Sequence, residues 1–172
     1  MTSPDSAVDF HLTRVFDAPR DLVFKTMTET DHLQKWWGPQ GCTIKVIRHE
    51  AQAGGVFHYC MGFGPGVDMY GRFDYREISA PERLVFVNGF ADAEGKRISY
   101  AMSPTWPLEV LNTVTLTEEG GKTTLTLVST PLDASEIEIE TFKSGHASMQ
   151  QGFGGMYDVY AQYLATVRAA QS

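Results

Sequence analysis

The amino-acid sequence predicts an α+β fold in which an antiparallel sheet wraps a long C-terminal helix. Three observations carry that expectation. From about residue 43 to residue 130, apolar positions alternate with polar ones and turn residues interrupt every run. After residue 135 the apolar positions recur instead at steps of three and four, the period of one helical face. The strand runs are separated by short turn signals rather than by helical stretches, so neighbouring strands pair as hairpins. About six or seven strands are expected, with two short helices after the first.

Residues 1–7 are expected to be loose, and residues 8–170 to form one domain. Phe10, Leu12 and Phe16 alternate with polar positions and mark the first strand. Ala18-Pro19 ends it, and proline at a first helical position suits the amphipathic run of Leu22, Val23 and Met27. Thr30 is expected to cap a second helix through Leu33 to Trp36-Trp37, which Gly38-Pro39 stops. Strands are then expected at 43–48, from Gly54-Gly55 through Phe57, Tyr59 and Met61, and at 67–78, 84–88, 110–116 and 123–128. Gly64-Pro65-Gly66, Ala80-Pro81-Glu82 and Glu119-Gly120-Gly121 are the turns between them.

The final segment places Phe142, His146, Met149, Phe153, Met156, Tyr160, Leu164 and Val167 on one stripe. Ser135 and Glu138 fit a capping box at its start, and Glu136 and Glu140 suit the positive end of a helix dipole. A single continuous helix is expected. Gly152, Gly154 and Gly155 interrupt its pattern, where each costs up to about 1 kcal/mol relative to alanine. Two readings stay open: room for a ligand, or close packing of helix on sheet.

The 172 residues include 14 basic and 21 acidic side chains, a net charge of −7, which repels phosphate backbones and anionic membrane surfaces. No nucleic-acid partner is expected. Cys42 and Cys60 are too few for a disulfide framework. The opening MTSPDSAVD lacks the basic and apolar parts of a signal peptide, and no stretch approaches the roughly 20 apolar residues of a membrane span. A soluble, cytoplasmic protein is expected.

The sequence contains no nucleophile elbow and no phosphate-cradling glycine loop followed by lysine. No catalytic residue, metal or cofactor is therefore assigned. His58 and Cys60 sit two apart on one strand, with no spacing that brings the third ligand zinc needs. His146 on the apolar stripe could orient a ligand oxygen or be paired with a neighbouring carbonyl. Aromatic and methionine side chains are numerous enough for an adaptable cavity instead of a tight aliphatic core. Its candidate lining is Phe57, Tyr59 and Met61 on one strand, Phe73 and Tyr75 on the next, and Phe86 beyond. Trp36, His146, Met149 and Phe153 complete it from the helical segments.

Several motifs, in order, carry a family resemblance. Asp17-Ala18-Pro19 with Val23-Phe24, then His32-Leu33 and Trp36-Trp37-Gly38-Pro39, resembles the opening of the family of activators of the heat-shock-protein-90 ATPase. That family belongs to the START-like, birch-pollen-allergen-like superfamily. Gly54-Gly55, Gly71 with Phe73, Pro81-Glu82-Arg83-Leu84 and Gln151-Gly152-Phe153-Gly154-Gly155 are similar to its later landmarks, across residues 9–168. The resemblance implies a helix-grip fold with a cavity between sheet and helix. The glycine-containing helix and the many methionine and aromatic side chains make a hydrophobic small molecule the expected occupant. A cyclase- or hydrolase-type enzyme using His146, Tyr59 or Asp68 is the alternative. A chaperone partner and a homodimer are the protein partners it leaves open. Residues 91–109, with Pro104-Thr105-Trp106-Pro107, read as an insertion able to cover one end of the cavity.

Overall fold

The computed structural model describes residues 8–39 and 41–171; the expected loose start, residues 1–7, lies outside them. Strand β1 (Phe10–Phe16) is followed by helices α1 (Arg20–Thr28) and α2 (Thr30–Trp36). Six strands come next: β2 (Thr43–His49), β3 (Val56–Gly62), β4 (Asp68–Ser79), β5 (Arg83–Ala91), β6 (Glu109–Glu119) and β7 (Lys122–Leu132). Helices α3 (Glu136–Ser144) and α4 (His146–Ala170) end the chain. The seven strands form one sheet in the order β1-β7-β6-β5-β4-β3-β2, with every pair antiparallel. This is the helix-grip α+β architecture.

Local chemistry explains most of these boundaries. Each strand of β6–β7 buries every second residue, and the two-residue link Gly120-Gly121 takes φ of 62° and 79°. Positive φ at both central positions matches the twist of flanking strands, and glycine adopts it without a Cβ penalty. Register shifts between Val46 and Arg48 and between Tyr75 and Glu77 are bulges that bend the far side of the sheet. Ser135 and Glu138 form the expected capping box on α3. Cys42 and Cys60 are free thiols, and no helix of the described residues is long and apolar enough to cross a membrane.

Three local expectations shift. Pro19 is the residue before α1, not its first helical position. Thr30 is not the cap of α2, because Glu29 holds that place and the Thr30 hydroxyl pairs with His49 Nδ1 at 2.7 Å. The C-terminal helix is two helices, broken at Gly145. The residue at the break has a tertiary reason to be glycine: a Cβ at Gly145 would come within 2.8 Å of the Trp106 ring, which packs there from the β5–β6 connection.

The core lies between the inward face of the sheet, the α1–α2 pair and the later turns of α4. Tyr160 is fully buried, its ring edge-on to Phe16 at 4.9 Å and 4.4 Å from Trp36. The Tyr160 hydroxyl meets the buried Thr26 hydroxyl at 2.7 Å, so the polar end of the ring is satisfied. Tyr157 and Leu164 are buried on either side of it.

Candidate functional site

Beside that core, the first turns of α4 stand over a cavity of about 690 Å³. Its floor is the inward face of β3 to β6, where alternate side chains project to one side of the pleat. Tyr59 and Met61 come from β3, Met69 and Gly71 from β4, Asn88 and Phe90 from β5, and Val110 and Asn112 from β6. Met149, Gly152, Phe153 and Met156 form the helical wall. Trp37 and Pro39 close one side, and Tyr100, Ser103 and Trp106 from the β5–β6 connection reach the other.

Two glycines explain how the space arises. A Cβ at Gly71 would overlap the ring and hydroxyl of Tyr59, so the absence of a side chain lets Tyr59 lie flat across β4. Gly152 has nothing within 4 Å of where its Cβ would stand, although the position borders the cavity. Gly154 is equally uncrowded, and its carbonyl accepts from Arg14. Close packing on the sheet does not account for either residue.

The β5–β6 connection is anchored before it reaches the cavity. Arg97 pairs with Asp74 and with Glu109 at 3.2 Å, and donates to Val87 O at 3.1 Å. The arginines beside Asp74 hold its carboxyl below the usual range against the opposing effect of burial, which is the larger single influence. Tyr100 then stacks on Phe90 with centroids 4.3 Å apart, and Thr105 meets Thr141 at 2.8 Å. Trp106 lies 5.3 Å from Phe142.

The sequence-predicted candidates divide into three groups. Tyr59, Met61, Met149 and Phe153 border the cavity. Phe57, Phe73, Tyr75 and Phe86 share the inward face but pack into one another beside it; Phe73 stacks on Phe86 at 4.2 Å and meets Phe57 edge-on at 5.1 Å. Trp36 and His146 lie elsewhere. The Trp36 indole donates to Thr26 O at 2.9 Å inside the α1–α2–α4 core, and its neighbour Trp37 is the one that reaches the cavity. His146 Nε2 pairs with Val8 O at 2.8 Å, between Phe10 and Phe142. Asp68 is exposed at the start of β4, outside the lining.

Sequence reasoning missed Asn88 and Asn112. Both occupy slots where the alternation of β5 and β6 calls for an apolar side chain, and that mismatch is a readable signal. Among the described residues the cavity lining contains no Asp, Glu, His, Cys, Lys or Arg. Tyr59 is the buried titratable group; burial pushes its hydroxyl up to about 12, opposed by a hydrogen bond from Trp37. His58 and Cys60 lie on the opposite face of β3, where His58 Nε2 meets Asp92 O at 3.0 Å. No metal-binding group of three or more His, Cys, Asp or Glu gathers among the described residues.

Comparison with known proteins adds a family to this geometry. A solution structure of a protein from Arthrobacter aurescens is 25% identical, with a TM-score of 0.78, covering 95% of this chain and 90% of that one. One from Staphylococcus epidermidis is 24% identical, with a TM-score of 0.74, covering 96% and 94%. The crystal structure of the AHSA1 protein from Silicibacter pomeroyi is 20% identical, with a TM-score of 0.66, covering 92% and 98%. Nothing among curated proteins matches the chain. The profile of the family described as "Activator of Hsp90 ATPase homolog 1-like protein" matches residues 17–165, most of the chain. The chain belongs to that family.

Proposed function

We propose that this protein binds a neutral, mostly apolar small molecule in the cavity between β3–β6 and the first turns of α4. One observation carries the reading: a space of about 690 Å³ whose described lining is aromatic, methionine-rich and free of ionisable carboxylate, amine, imidazole or thiol groups. Small-molecule sites are concave, largely apolar and typically about 300–1,000 Å³. A charged ligand would leave water with no opposite charge to receive it. The reading also favours binding over acid–base turnover, because efficient proton transfer wants a group titrating near the working pH, and Tyr59 sits at about 12.

Trp37 and Trp106 stand in the cavity wall, so their fluorescence reports occupancy. Titration with the neutral aromatic hydrocarbon fluorene is expected to quench it saturably. Native mass spectrometry should show one bound molecule per chain. Gly152→Leu sends a side chain into the open space and should abolish both signals while the fold persists. Quenching that never saturates, or that survives Gly152→Leu unchanged, would overturn the proposal.

A further inference from the structure

One polar assembly that the apolar reading does not use runs from the buried Ser129 on β7 into the cavity floor. Ser129 on β7, Asn112 on β6 and Asn88 on β5 occupy inward slots of three adjacent strands. Ser129 and Asn112 are register partners, as are Asn88 and Val110. Ser129 is fully buried and Asn112 is 2% exposed, so both must satisfy their polar atoms within the protein.

The hydrogen bonds between them have a fixed direction. A carbonyl only accepts, so the Asn112 atom 3.1 Å from Val110 O is the amide nitrogen. That places Asn112 Oδ1 toward Ser129, whose hydroxyl donates to it at 2.6 Å. The second hydrogen on Asn112 Nδ2 goes to Asn88 at 2.8 Å, and the atom receiving it must be the acceptor, Oδ1. The orientation of Asn88 follows from the network, and its Nδ2 is turned away from Asn112. Asn88 borders the cavity, and nothing among the described residues accepts from that nitrogen.

We propose that Asn88 is a specificity-determining anchor that donates from Nδ2 to a neutral acceptor oxygen on the ligand: the carbonyl of a ketone, quinone, ester or amide. The inference rests on the cavity being a binding site, and it names the class of molecule bound there. Serial donation from Ser129 through Asn112 polarises the Asn88 amide and strengthens its remaining donor. An apolar ligand without such an oxygen leaves that donor dry and unpaired, which selects against it. A carboxylate would find the donor but no compensating cation in the described lining, so the neutral acceptor is favoured.

The test uses fluorenone and fluorene, which differ by a carbonyl in place of a methylene. The ratio of their dissociation constants is measured in the full chain and in Asn88→Leu, so that packing lost by the variant largely cancels. The preference for fluorenone is expected to fall about tenfold in Asn88→Leu, the weight of one hydrogen bond. A second readout needs no variant: the Asn88 side-chain amide protons should move downfield with fluorenone and not with fluorene. If both probes bind and both the ratio and the amide shift are indifferent to the carbonyl, the anchor is overturned and the binding site stands. If neither probe binds the wild-type protein, the binding reading fails and takes the anchor with it.

Discussion

The two halves of α4 carry one apolar stripe and meet different surroundings. From Tyr157 to Leu164 the stripe is sealed: Tyr157, Tyr160 and Leu164 are all buried against β1 and the α1–α2 pair. From His146 to Phe153 no residue of the helix is fully buried, and Met149, Gly152 and Phe153 border open space. Hydrophobic period alone does not separate them, because it reports which face turns inward and not whether that face meets a partner. What separates them is the opposing surface. The later turns face rings filling the gap, whereas the earlier turns face a floor where Gly71 offers no side chain and Tyr59 lies flat.

The sharpest way to break this contrast is truncation. Tyr160→Ala removes a fully buried ring and should cost about 3–5 kcal/mol. Phe153→Ala, on the same stripe over the cavity, should cost less than half of that, because the ring is partly exposed and the space beneath it is already open. Chemical denaturation of the two variants measures the difference directly. Equal losses would mean that the two halves are packed alike.

Gly71→Ala attacks the floor. The added methyl overlaps Tyr59, and overpacking of this kind costs about 1–3 kcal/mol as the ring is driven into the cavity. Denaturation reads the stability, and fluorene titration should show weakened binding. Unchanged affinity would mean that Tyr59 does not shape the site.

High pH reaches the cavity floor through Tyr59 and the sealed half of α4 through Tyr157 and Tyr160. A tyrosine in an unfolded chain ionises near pH 10, about two units below Tyr59 in the fold at about 12. Burial raises Tyr157 and Tyr160 as well. The folded state therefore holds these protons more tightly than the unfolded state does. Their contribution to stability is whole below pH 10 and is lost as pH rises through the folded values. Denaturation midpoints should stay flat in this respect up to about pH 10 and fall steeply beyond it. Tyr160→Phe should flatten part of that fall.

The smallest expected effect has the opposite sign. Gly152→Ala adds a methyl where nothing stands within 4 Å, so helix propensity alone should stabilise the protein, by up to about 1 kcal/mol. A thermal melt checks it. A loss of stability would show that the position is crowded after all.

The strands were legible in the sequence because period two survives wherever one face is buried, as in β6 and β7. The capping box was legible because its two residues act within one turn. The break at Gly145 was not, since the ring that leaves no room for a side chain there, Trp106, arrives from about forty residues earlier in the chain. The site divides in the same way. Alternation placed Tyr59 and Met61 on the same face as Phe57 and Phe73, but which rings touch each other and which touch empty space depends on neighbouring strands. Trp36 and Trp37 are adjacent in sequence, and only the turn after α2 decides which indole enters the core. Asn88 and Asn112 could have been found, as polar side chains in apolar slots.

On the proposed reading, a ligand enters under the first half of α4 and not the second. The most direct test is a fluorenone titration followed by backbone and side-chain amide chemical shifts. Saturable shifts should concentrate at Tyr59 and Met61, at Asn88 to Phe90, at Ser103 to Trp106 and at Met149 to Phe153, with Tyr157 to Leu164 unmoved. Shifts centred on Tyr157 to Leu164, or no saturable shift anywhere, would contradict it.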